Sequence, residues 1–113
     1  MGINSTEVSY AFGQMGSGFT DETAALTPPT GKAIVAIQFL EDTTLSGLVA
    51  DTEQGNDAAF FSFTTAVAGN GGGAAEIDSG TVFPKGITIY GRWTSVTLSA
   101  TSTSGGIICY FGD

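Results

Sequence analysis

The sequence has no histidine, a single cysteine and three basic residues, and each shortage removes a class of function. Without histidine, the imidazole-driven nucleophilic and general-base mechanisms are closed. Only a two-carboxylate hydrolase remains chemically available, and the acids are scattered rather than paired. One cysteine cannot form an intrachain disulfide. Cys109 lies between Ile108 and Tyr110 in an apolar run, where a packed thiol is expected rather than a reactive one. Lys32, Lys85 and Arg92 stand against eleven acids, giving a net charge of −8. Neutralising phosphates needs Lys and Arg, so nucleic acid is excluded as an electrostatic partner, and anionic lipid with it. The longest apolar stretch, Ala33 to Leu40, is interrupted by Gln38 and falls far short of the roughly 20 residues of a membrane helix. The first residues carry neither the basic nor the apolar region of a signal peptide, so synthesis in a cytoplasm is expected. On that expectation the sequon Asn4-Ser5-Thr6 is a chance match.

What remains is a chain of 113 residues, long enough for one domain with one core. Only 12% of its residues are charged, while Gly, Ser and Thr abound. That combination suits β-structure with neutral, hydrogen-bonding faces. The most informative stretch runs from Thr81 to Phe111. After a Pro84-Lys85-Gly86 turn, Ile87, Ile89 and Trp93 point one way and Thr88, Tyr90 and Arg92 the other, the period of a half-buried strand. Val96 and Leu98 then fall on the opposite parity, which predicts a bulge or break near Thr94-Ser95. Ile107 to Phe111 forms a second, apolar strand, and the two together read as a closing hairpin.

Gly31 to Leu40 is the best central strand: Ala33, Val35, Ile37 and Phe39 on one face, Ile34, Ala36 and Leu40 on the other. A strand apolar on both sides is either central to a domain or half of an interface. Glu41-Asp42 makes a turn, and Thr43 to Ala50 returns as a strand with a bulge or close approach at Gly47. Ala58 to Val67 alternates as a further strand, its three phenylalanines expected opposite Trp93.

Residues 1–30 are different in texture. Glu7 to Phe12 alternates as one strand. The Gly-rich segment after it is unsuited to a helix, and Asp21 to Ala25 allows one helical turn before Pro28-Pro29 stops it. Two readings stay open: a first strand with a long loop, or an arm ordered against a neighbouring subunit. In the second, Val8, Tyr10, Phe12, Met15 and Phe19 are the anchors. Arg92, one of three cations and beside Trp93, is the remaining candidate interface residue, with Glu76 or Asp78 as its expected partner.

Two loops invite sharper readings. Asp51 to Asp57 offers Asp51, Glu53 and Asp57 as oxygen ligands for calcium, but Gly55 comes one residue early and no closing Glu follows. A solvated acidic turn is the better account. Gly69 to Gly73 follows a strand, yet no helix and no Lys come after it, so neither a dinucleotide turn nor a P-loop is supported. No cofactor is called for. About seven short strands separated by Gly-rich turns predict an all-β fold, a small antiparallel β-sandwich or jelly-roll over residues 31–113.

The run Val82 to Gly112, with FPKGITIYGRW (Phe83 to Trp93) as its core and a short strand carrying I-x-Y (Ile108 to Tyr110) after it, resembles small structural proteins of tailed bacteriophages of the marine and cyanobacterial type. The resemblance covers about the last quarter of the chain. It implies a capsid decoration (cement) protein, or alternatively a carbohydrate-binding module of a fibre or spike. The expected partner is then the major capsid protein and the location the outer capsid surface. A homo-oligomer is expected, with a trimer at local three-fold positions. In the alternative, Trp93, Tyr90 or Tyr110 would stack on sugar rings while acids such as Asp51 and Asp57 accept hydroxyl hydrogen bonds.

Overall fold

The computed structural model describes residues 15–51, 60–63, 71 and 76–113. Six strands are present among them: β1 (Ser17–Thr20), β2 (Ala33–Phe39), β3 (Thr43–Ala50), β4 (Val82–Phe83), β5 (Thr88–Leu98) and β6 (Ile107–Gly112). They form a six-stranded sheet in the order β1-β6-β2-β5-β3-β4, and every pairing is antiparallel. The all-β expectation holds, with no helix among the described residues.

β5 organises the sheet. Its first half pairs with β2 (Thr88 opposite Gln38, Trp93 opposite Ile34) and its second with β3 (Trp93 opposite Ala50, Leu98 opposite Leu45). The N–H of Phe39 donates to Ile87 at one end of β5, and the N–H of Ser99 donates to Thr44 at the other. The link from Phe39 to Thr44 reaches at most about 18 Å, whereas Ile87 to Ser99 laid straight would span about 40 Å. The long strand must therefore fold back on itself. It does so around Trp93, where register shifts cluster. Ser95 and Trp93 face consecutive β3 residues, leaving Thr94 as the extra residue, which is the slip that the apolar parity predicts. The bend divides the sheet into two limbs, β1, β6, β2 and the first half of β5 before Trp93, and the second half of β5 with β3 and β4 after it.

The core holds Trp93, Ile34, Ile37, Phe39, Leu45, Leu48, Val96, Leu98, Ile107 and Cys109, all essentially inaccessible. The FPKGITIYGRW run supplies the corner. Phe83 stacks on Phe39 with ring centres 4.6 Å apart. Gly86 turns the chain with φ of 91°, a conformation that only glycine adopts freely, and its N–H donates to Phe39. At Gly91 any Cβ would lie 2.7 Å from the Trp93 ring, so the indole packs directly over backbone.

Several expectations are corrected. β5 and β6 are not a hairpin, because β2 is inserted between them; a strand apolar on both faces gains most from a neighbour on each edge. β3 likewise pairs with β5 and β4 instead of β2, since the Glu41-Asp42 turn carries the chain from one limb to the other. The bulge at Gly47 is present as a register shift between Leu45 and Gly47. In β2 an irregularity between Ile34 and Ala36 breaks the simple alternation, bringing Ile34, Ile37 and Phe39 to the core together. Asp21 to Ala25 makes bends and no helical turn; Leu26 instead bridges Val96 through two main-chain hydrogen bonds. Of the strand expected over residues 58–67, only Phe60 to Phe63 is described. It makes a single bridge, and its phenylalanines pack on the margin of the core.

Candidate functional site

Among the 38 residues of the six strands, Arg92 alone is charged. Its guanidinium lies 3.4 Å from the Asp51 carboxylate, which is almost wholly buried, and it also donates to the main-chain oxygen of Asp113. The partner is Asp51, and neither Glu76 nor Asp78. The fold of β5 explains this: it brings the end of β3 against Arg92, whose carbonyl accepts the Asp51 N–H. Lys32 pairs with Asp113 close by. Both broad faces of the sheet are consequently neutral, and the other described charges sit outside the strands.

The two outer faces differ. On the limb of β3 and the second half of β5 the surface carries Ser46, Val49, Ser95 and Thr97, continued by Val82 on β4; Val49 and Val82 are more than half exposed. On the limb of β1, β6, β2 and the first half of β5, register sets Ser17, Tyr110, Ala36 and Tyr90 in one row and Phe19, Ile108, Gln38 and Thr88 in the next. Tyr90 is 70% exposed and Phe19 55%. The Tyr110 hydroxyl is 3.5 Å from Oε1 of Gln38, which accepts from it. Ala36 is nearly covered between the two tyrosines.

At one end of the sheet the acids have structural work. Glu41 accepts hydrogen bonds from the hydroxyls of Ser102 and Ser104, Asp42 accepts from the N–H of Lys85, and Thr101 donates to Glu22. Glu41 and Asp42 border a hollow of about 110 Å³ lined by Glu41 to Thr44 and Leu98 to Ser102. That is below the roughly 300 Å³ at which small-molecule pockets begin. Among the described residues no group of three or more His, Cys, Asp or Glu side chains converges as metal ligands. The Cys109 thiol is pushed up to about 12 by burial, which keeps it protonated and inert.

Of the candidate interface residues, Val8, Tyr10 and Phe12 lie outside the described residues, as do Glu53 and Asp57 of the acidic loop. Met15 is half-buried and its N–H donates to Phe111. Phe19 stands on the edge strand β1, paired with Ile108. Trp93 is fully buried and cannot stack on a ligand; of Trp93, Tyr90 and Tyr110, Tyr90 is the exposed one. No family model, curated protein or solved structure matches this chain. What the geometry offers chemically is contact: two uncharged faces, one rich in small hydroxyls and valine, the other in tyrosine. Sequence alternation placed Tyr90 outward, but only cross-strand register sets Tyr110, Ala36 and Gln38 beside it.

Proposed function

We propose that this protein is a non-enzymatic virion structural protein, of the capsid-decoration kind, whose folded sheet acts as a small β-sandwich. The observation that carries the reading is the segregation of charge. Among the described residues every charge except the paired Arg92 lies outside the strands, so either broad face can dry against a neighbour without stranding an ion. The Val49 and Val82 face, furnished with hydroxyls, is the docking surface, and exposed acids of the connections such as Glu22, Asp42, Glu76 and Asp78 keep free copies apart. A specific protein interface buries about 800 Å² per partner. A sheet face of this size supplies less, and repeated contacts within a lattice raise the avidity of many such copies. The partner is the major capsid protein, the location the outer shell, and the working assembly a homo-oligomer, with a trimer suited to local three-fold positions.

The test is rebinding of purified protein to shells that lack it, with the occupied sites imaged by cryo-electron microscopy. Added density on the shell is the expected result, and Val49→Glu should reduce its occupancy at least tenfold. Shells that stay bare at saturating protein would end the proposal. Light scattering on the eluted peak from a sizing column reports the oligomer.

A further inference from the structure

The tyrosine face belongs to the limb of β1, β6, β2 and the first half of β5, shares no residue with the proposed docking surface, and is given no task by that proposal. Its register places Tyr90 on β5 and Tyr110 on β6 on either side of Ala36, two strand spacings apart, or about 10 Å. Packing explains one of the two: Tyr110 is half-buried and hydrogen-bonded to Gln38. It does not explain Tyr90. In a strand whose neighbours Ile89, Gly91, Arg92 and Trp93 all serve the core or an ion pair, Tyr90 leaves 70% of its surface in water.

We infer that Tyr90 and Tyr110, with Gln38 and Thr88 beside them, form a binding site for a neutral saccharide. A pyranose ring has an apolar face of C–H groups and a rim of hydroxyls. The first is matched by an exposed phenol ring, the second by a side-chain amide and hydroxyls, which can both donate and accept. Charge narrows the ligand class. Arg92 is held by Asp51, and Lys32 by Asp113, so the face has no cation uncommitted among the described residues to recognise phosphate, sulfate or uronate. Size narrows it further. Four strands at ordinary spacing give a patch on the order of 300 Å², under half of what each partner contributes to a stable protein interface, yet ample for one or two sugar rings. Phe19, paired with Ile108 at the far edge, extends the apolar surface along the same row as Gln38.

The experiment uses the full chain on an array of neutral and acidic glycans, and native electrophoresis through gels containing dextran, galactomannan or β-glucan. Binding to at least one neutral glycan is expected, with little change between 50 and 500 mM salt. Tyr90→Ala should weaken it at least tenfold, while Tyr90→Phe, which keeps the ring, stays within about threefold of the parent. Thr97→Ala, on the other limb, should leave it unchanged. Tyr90 is exposed, so its variants fold, and a circular dichroism spectrum matching the parent checks this. Absence of binding to every neutral glycan, equal binding by Tyr90→Ala, or binding confined to acidic glycans and abolished by salt would each overturn the inference. Shell occupancy by Tyr90→Ala separates the two proposals, since it is expected to match the parent whether or not sugar is bound.

Discussion

The indole N–H of Trp93 donates to the main-chain oxygen of Phe61 at 2.8 Å, and the two rings meet at a tilt of 58° with centres 5.3 Å apart. A single side chain thus ties the fold of β5 to a segment that belongs to no described strand. It does so while facing Ile34 on one limb and Ala50 on the other. Trp93→Phe removes the donor and part of the ring and should cost about 1–3 kcal/mol, read as a lower urea midpoint with an unchanged slope. Trp93 is the only tryptophan, so native emission should be blue-shifted and should move to the red in the same transition.

Gly91 is a second pressure point on that corner. Its missing Cβ is the space the Trp93 ring occupies. Gly91→Ala should force the indole aside at a cost of about 1–3 kcal/mol, seen as a lower melting temperature. Gly71→Ala, at a position with open space around it, should leave the melting temperature within about a degree.

Arg92→Ala should destabilise by about 1–3 kcal/mol, because it leaves the buried Asp51 carboxylate with one fewer charged donor. Arg92→Lys should recover only part of this, since an ammonium lacks the planar fork of guanidinium. In a double-mutant cycle with Asp51→Asn, the combined loss should fall clearly below the sum of the single losses. Strict additivity would mean that the pair is geometric only.

Burial raises the Cys109 thiol to about 12, well above its value in an unfolded chain. The folded state therefore keeps its proton where the unfolded state has lost it. The sign follows: above pH ~9 stability should fall by up to about 1.4 kcal/mol per pH unit from this group, until the folded thiol itself titrates. Below pH ~8 it contributes no slope. Cys109→Ala should remove that alkaline component, measured as the difference between the two proteins' denaturation curves from pH 8 to 10.5. In the native protein, the thiol should react with a disulfide reagent only at the rate of global opening.

By itself the sequence determined β2, β3, β5 and β6 and the side of β5 that turns inward, but neither β1, which begins in a Gly-rich run, nor the two-residue β4. Ile89 and Trp93 against Tyr90 and Arg92, and the slip at Thr94 before Val96, follow from a period of two, which is a property of one extended segment and is legible in that segment alone. The neutrality of the faces was equally open to reading, since it needs only the positions of the few charges. Tertiary structure alone decided which strands are neighbours. β2 displaces the expected hairpin between β5 and β6, Asp51 displaces Glu76 and Asp78 beside Arg92, and Tyr90 meets Tyr110 across Ala36. These depend on which distant edges win a competition for hydrogen bonds and buried area. A local alternation cannot record that competition, because Ala36 would read identically with any partner on either side.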